Sequence, residues 1–371
     1  MNKLEIENAE ANTIFKTALK DAAAWNESLD WLPVHTFVYR EVDGIKIEAD
    51  VYVPDTPVGQ LDQRPVVLFI HGGGWMGGIR TDIPRTILYE FLIRGFIFVS
   101  IDYRLVPEAD FVTGQLDDIT SVETWIREKL QASLQDRNLQ VLVNTDSMIV
   151  VGASAGAHLA SLTPKIWQIP PKALLLLAGP SNLLAPRVPK RSPPDGRLAP
   201  LLHHVPLDPS PEFIKSAMFD KPQTNTIPAV GLEGFLQPRS LLHLSRILKQ
   251  VTSEFLLRGI VDGKLPEKGS VPEDEIKYIS AFYTDPITSY PPTFQIIGDS
   301  DEAWDASQLT SFHDKLRQNG IPSAVLVVPE AVHAFENDSK VGDPVHLKYL
   351  ATGVDFVCRF VGENGGEKSK N

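Results

Sequence analysis

SMIVVGASAGAHLASL, residues 147–162, sets one serine among the smallest side chains a chain can use. Three apolar residues, Ile149 to Val151, lead into it, and AGAHLASL leaves it with the composition of a buried helix. Gly152, Ala153, Ala155, Gly156 and Ala157 surround Ser154. A bland flexible turn would use such residues, and so would a strand that bends sharply into a helix. In the second case the serine sits at positive φ, and a side chain two residues to either side collides with neighbouring backbone. Glycines at 152 and 156 complete G-x-S-x-G, and the flanking runs supply the strand–turn–helix setting in which that pentapeptide marks a nucleophilic serine.

Outward from this bend the pattern repeats. PVVLFI (65–70), GFIFVSID (95–102), ALLLLAG (173–179), TFQIIGD (293–299) and SAVLVVP (323–329) are short, continuous apolar runs separated by helical segments. Such alternation predicts an α/β fold with a mostly parallel sheet covered by helices on both faces. Upstream, HTFVYREVDGIKIEADVYVPD (35–55) alternates with period two around Asp43-Gly44 and predicts a β-hairpin. Residues 8–25 carry a helical pattern.

Between ALLLLAG and TFQIIGD the chain departs for more than a hundred residues. Twelve of its 29 prolines fall from Pro180 to Pro238, which excludes regular helix or central strand there. LLHLSRILKQVTSEFLLRGIVDG (241–263) then has apolar residues at helical spacing. Phe213, Met218, Phe219 and Phe235 make the whole stretch too apolar for a linker, so it reads as an ordered inserted cap, an irregular loop followed by one or two amphipathic helices. The expected organisation is a helical segment over 1–30, a core over 31–180 and 289–361, a cap over 181–288, and a disordered tail over 362–371.

The composition excludes several functions. A net charge of −12 in 371 residues offers nothing to nucleic acid or an anionic membrane surface. No run approaches the roughly 18 apolar residues of a membrane span, and the first thirty residues show no signal-peptide core. The single cysteine, Cys358, reads as a small buried residue of a terminal helix, and a disulfide-free chain is expected to be cytoplasmic. His203-His204 has no cysteine or carboxylate at ligand spacing, so neither a metal nor another cofactor is expected.

FIHGGGWMGG (69–78) places His71-Gly72-Gly73-Gly74 directly after the first parallel strand. Three glycines in succession let backbone N–H groups face a cavity, as an oxyanion hole requires, with the amide of Ala155 as a further donor. No G-x-x-x-x-G-K-[ST] is present, which argues against a phosphate loop. A serine nucleophile on this architecture is followed in the chain by an acid and then a histidine. IIGDSDEAWDASQL (296–309) offers Asp299, Asp301 and Asp305, the last also a helix-capping candidate. VVPEAVHAFEND (327–338) offers His333 on a loop after a strand, whereas His346 lies in an apparent terminal helix. His158, one turn into the helix after Ser154, reads as a packing residue.

Taken in order, HGGGW, DYRLVPEA (102–109) and GASAG resemble the hormone-sensitive-lipase-like branch of the α/β-hydrolases, over residues 65–180 and again over 290–360. The resemblance implies a catalytic Ser154, His333 within the family's H-x-F loop, and Asp301 at the end of its G-x-x-D turn. It further implies oxyanion donors at Gly72, Gly73 and Ala155, substrate contacts at His71, Gly74 and Trp75, and a bracing role for Tyr103 to Glu108. The chain departs from the family's GDSAGG in lacking an acid at 153. The implied activity is hydrolysis of a small to medium apolar carboxylic ester. The same triad also serves amidases or deformylases, and HGGGW fits the HGGxW of kynurenine-formamidase-like enzymes. It serves thioesterases and biosynthetic acyltransferases too. Plant gibberellin receptors resemble the family without its histidine, so a non-catalytic binding protein is the remaining class. A homodimer is compatible with the resemblance.

Overall fold

Asp43 and Gly44 both take positive φ, 52° and 77°, the two-residue geometry that matches the twist of a tight hairpin. They join β1 (His35–Val42) to β2 (Ile45–Tyr52). The computed structural model describes residues 34–54, 63–185, 202–226, 234 and 236–361. The expected helix within 1–30, the tail over 362–371, the proline-rich residues 186–201 and Phe235 lie outside them.

Six further strands follow: β3 (Gln63–Ile70), β4 (Ile97–Ile101), β5 (Leu142–Ala153), β6 (Ala173–Leu177), β7 (Thr293–Gly298) and β8 (Ser323–Val328). They form one eight-stranded sheet in the order β1-β2-β4-β3-β5-β6-β7-β8. β2 runs antiparallel to β1 and β4, and β3 to β8 are mutually parallel. Strand β5 starts at Leu142, earlier than the apolar run that announced it, because its first five residues are partly or fully exposed and leave no hydrophobic signature.

Both faces of the sheet are covered. Along β3, Val66, Leu68 and Ile70 enter one apolar cluster and Val67 and Phe69 the other, all without exposure. Each such side chain contributes roughly 1.5–3 kcal/mol of burial. Helices α1 (Arg85–Ile93), α2 (Asp117–Glu128), α3 (Leu130–Asp136) and α4 (Ala155–Ile166) alternate with the strands. The segment between β6 and β7 carries α5 (Pro211–Ala217), α6 (Pro238–Leu248), α7 (Thr252–Arg258) and α8 (Glu273–Tyr278). Helix α5 corrects the expectation of no regular helix from Pro180 to Pro238: its proline stands at the start of the helix, where no amide is needed, and Ser210 caps it. Of the one or two helices expected from the spacing over 241–263, the structure has two, separated where Gln250 takes φ 58°. After β7 comes α9 (Ser307–Gln318), and after β8 comes α10 (Ala351–Cys358). The residues of α2, α4 and α9 pack into the first cluster, and those of α1 and α10 into the second. Cys358 ends α10 half-buried, a correction to full burial, and burial pushes its thiol up to about 12.

Register fixes what stands together at the carboxyl edge. Ile70 of β3 lies beside Gly152 of β5, so the glycine loop and the serine bend leave the sheet as neighbours. β3 connects to β4 on one side while β5 lies on its other side, the kind of switch point where open α/β sheets bind ligands. Gly298 of β7 pairs with Val328 of β8, which brings the loops bearing Asp301 and His333 to that same edge.

Candidate active site

Ser154 has φ 53° and ψ −116°, between the end of β5 and the first residue of α4. A non-glycine residue held there stores about 1–3 kcal/mol of strain. The surrounding glycines are a steric necessity. A Cβ on Gly152 would stand 2.2 Å from the carbonyl oxygen of Gly156, and one on Gly156 would stand 2.0 Å from that of Ile70. The bend is held by the Ser154 amide, which donates to the Leu177 carbonyl of β6 at 2.7 Å.

Ser154 Oγ lies 2.9 Å from His333 Nε2, across 179 residues of sequence. His333 Nδ1 donates to Asp301 Oδ2 at 2.8 Å. That tautomer leaves Nε2 as an acceptor for the serine hydroxyl. Asp301 is 1% exposed, and its other oxygen accepts the amides of Ala303 and Trp304, each at 2.8 Å. Those bonds fix the orientation of the carboxylate. Burial by itself would lower the His333 pKa. The Asp301 carboxylate and its hydrogen bond, with Glu336 and Glu302 nearby, outweigh burial and raise it above 6.5. The His333 amide also donates to Glu302 Oε2 at 3.3 Å.

The other two acids stand elsewhere. Asp299 accepts the Glu330 amide at 2.7 Å, bracing the loop after β8. Asp305 accepts the Ser307 amide at 2.9 Å, the capping role open to it from sequence.

The glycine loop has a complete carbonyl account. Gly73, Gly74 and Trp75 take positive φ of 104°, 62° and 64°. The His71 carbonyl accepts the Tyr103 hydroxyl at 2.9 Å, and the Gly72 carbonyl accepts His71 Nδ1–H at 2.7 Å. Gly73 accepts the amides of Met76 and Gly77 at 3.2 and 3.0 Å, within the turn. Gly74 accepts Arg246 Nη2 at 2.6 Å. Trp75 accepts the Val106 amide at 3.0 Å and Gln115 Nε2 at 2.8 Å. Met76 accepts Arg239 Nε at 2.7 Å. With every carbonyl from 71 to 76 held by protein, this loop can offer amides to a ligand beside Ser154.

Comparison with known proteins agrees with the fold. The BD-FAE family model matches residues 49–166, from β2 to the end of α4. Esterase 2 of Thermogutta terrifontis superposes with a TM-score of 0.54 at 17% identity, over 90% of this chain and 97% of that one. An alpha/beta hydrolase superfamily protein from Enterococcus faecalis gives 0.56 at 18% identity, over 90% and 100%. The chain has the α/β-hydrolase fold. By sequence, the chain is similar to much longer proteins. It is 30% identical over 334 residues to the non-reducing polyketide synthase ascC of Acremonium egyptiacum, and 28% identical over 343 residues to atr1 of Stereocaulon alpinum. The alignments cover 87% and 89% of this chain but only 15% and 13% of those proteins. The methylphloroacetophenone synthase of Cladonia uncialis is 27% identical over 360 residues, spanning 89% of this chain and 14% of that protein.

Around the bend the α/β-hydrolase core is braced by buried histidines. His158 accepts Trp75 Nε1–H at 3.2 Å and donates to the Ile279 carbonyl at 2.6 Å. His71 stacks on Tyr103 with ring centres 4.4 Å apart. Burial pushes both His71 and His158 down to about 4. His71 and Trp75, expected from the resemblance to meet substrate, are 0% and 1% exposed, the first packed on Tyr103 and the second hydrogen-bonded to His158. Gly74 faces the inserted segment: its Cβ would stand 1.9 Å from the His243 ring. His346 donates to the buried Glu90 at 2.7 Å, far from Ser154 in the fold. The His203 and His204 rings lie 4.3 Å apart, tilted to each other, and are exposed. Among the described residues no cluster of His, Cys, Asp or Glu could hold a metal ion.

Two arginines of α6 escaped the sequence reading. Arg239 forks onto Glu108 at 2.7 and 2.9 Å while also donating to the Val106 carbonyl at 2.9 Å. Arg246 is wholly buried against the glycine loop. The only sequence signal was two cations within a helix whose apolar face had to be buried.

Proposed function

We propose that this chain is a serine hydrolase that cleaves a carboxylic ester or thioester through an acyl-serine intermediate. The observation that carries this reading is the continuous hydrogen-bonded line from Ser154 through His333 to Asp301, at a strained bend beside an amide-rich loop. His333 Nε2 takes the Ser154 proton as Oγ bonds to the substrate carbonyl carbon. Asp301 holds the tautomer and stabilises the imidazolium that forms. The amides of Gly72, Gly73 and Ala155 receive the oxyanion, where losing a single donor typically costs about 10²–10³ in kcat. His333 then protonates the leaving alkoxide or thiolate as the tetrahedral centre collapses to the acyl-serine. Water, deprotonated by the same imidazole, releases the acid.

The segment over 181–288 is the cap in this reading, and its apolar content favours a largely apolar acyl group. Fluorophosphonate labelling tests the assignment: the wild-type chain reacts at Ser154, and Ser154→Ala retains its melting temperature but loses all labelling. Equal labelling of the variant would refute it.

A second reading is favoured by the similarity to non-reducing polyketide synthases along nearly the whole chain. In it the acyl group arrives as a thioester from a polyketide pathway, and the enzyme releases it to water or passes it to another acceptor. A higher kcat/KM for an aromatic N-acetylcysteamine thioester than for the matched alkyl ester supports this form. The reverse ranking favours simple ester hydrolysis.

A further inference from the structure

The expected role of a cap is to choose the substrate. Helix α6 does something else as well: it grips the backbone of the glycine loop. Arg239 takes the Met76 carbonyl and Arg246 the Gly74 carbonyl, while the His243 ring fills the space that a side chain on Gly74 would need.

We propose that Arg246 is a positioning residue for the oxyanion donors. It holds the Gly74 carbonyl turned outward, so that the amides of Gly72 and Gly73 stay aimed at the charge that develops beside Ser154. This rests on the proposed acyl-serine chemistry. The peptide planes of the loop need such a restraint because glycines have broad backbone wells and can exchange one positive-φ arrangement for another. A flipped plane would present a carbonyl dipole where the oxyanion forms, converting a stabilising contact into a repulsive one. Among the described residues, the Gly74 and Met76 carbonyls are the two of 71 to 76 that are held from the inserted segment. The Gly74 carbonyl also follows the two residues named as donors most closely.

The details suit a restraint. Arg246 is 0% exposed, and its Nη2 reaches both the Gly74 carbonyl at 2.6 Å and His243 Nδ1 at 2.7 Å. The guanidinium lies 5.2 Å from the ring centres of both Trp75 and Phe255, which limits its motion. A charged donor bonds a carbonyl about twice as strongly as a neutral one. Burying a cation is costly and is weak as a stability device, which fits a residue retained for geometry. Catalysis is thereby coupled to the seating of α6: a displaced helix leaves Ser154, His333 and Asp301 intact but the anion site loose.

The test compares wild type with Arg246→Met on a p-nitrophenyl ester, with rates normalised to the Ser154 sites titrated by fluorophosphonate. We expect kcat per titrated site to fall about tenfold to a hundredfold, with KM changed less than about twofold. Affinity for a trifluoromethyl ketone, whose adduct carries the oxyanion, should fall by the same factor as kcat. A purely structural arginine would lower the melting temperature and the number of titrated sites while leaving kcat per site and ketone affinity unchanged, and that result overturns the proposal. If Arg246→Met does not fold, Arg246→Lys decides. It keeps the charge but loses the planar fork, so kcat per site should fall at least about threefold at constant KM; wild-type kcat overturns the proposal. A wild-type chain with neither turnover nor labelling contradicts the proposed function instead.

Discussion

His333 sits among three carboxylates, and that sets a pH signature. Burial disfavours its protonation, but Asp301, Glu336 and Glu302 together hold its pKa above 6.5. Only the neutral imidazole can accept the serine proton, so kcat/KM should rise with pH through an acid limb above 6.5. Stability runs the other way: the His333–Asp301 pairing contributes fully below about 6.5 and fades as pH rises through the raised pKa. Asp301→Asn should move the acid limb of a kcat/KM–pH profile downward and cost about 10⁴ in kcat, because the tautomer is no longer fixed. An unshifted limb in that variant would contradict the assignment of Asp301. At the bend, Gly156→Ala should destabilise by several kcal/mol in denaturant melts, since its Cβ meets a strand carbonyl that has no room to move. These residues were legible because each lies at the end of a readable strand, in a fixed chain order. Choosing among Asp299, Asp301 and Asp305 was not open to the residues alone, because all three accept backbone amides and only one lies within reach of His333.

At the scale of elements, the sheet was readable from its buried runs, and the serine bend from the residues around it. The inserted segment was readable only as ordered and apolar. Its contacts pair residues over a hundred positions apart, such as Glu108 with Arg239, and no local pattern encodes such a pairing. That ion pair joins the DYRLVPEA motif to α6 with side chains only 4% and 12% exposed. Glu108→Ala leaves a nearly buried guanidinium without its carboxylate, and about 3–5 kcal/mol of stability should be lost in thermal or urea unfolding. Glu108→Ala combined with Arg239→Met should cost less than the sum of the single changes. Strict additivity would mean that the pair is not coupled. Tyr103 and Arg104 of the same motif serve the core, Tyr103 through the His71 carbonyl and Arg104 through the buried Asp118.

For the whole molecule, the histidines buried neutral determine the response to acid. His71 and His158 titrate near 4 when folded and near 6.5 when unfolded. The unfolded chain therefore binds more protons between those values, and stability should decline as pH falls from 6.5 to 4. Each contributes up to roughly 3 kcal/mol across that window. Melting temperatures across that pH range check the direction, and a flat profile would contradict neutral burial of both rings.

In the proposed function an ester and a thioester both react at Ser154. The most direct measurement is a rapid quench of the wild-type chain with p-nitrophenyl acetate, followed by peptide mass mapping. The account predicts an acetyl group on the peptide containing Ser154 within the first turnover, decaying as product forms, and none on Ser154→Ala. Turnover without that adduct, or an acetyl group carried through turnover on another residue, would contradict it.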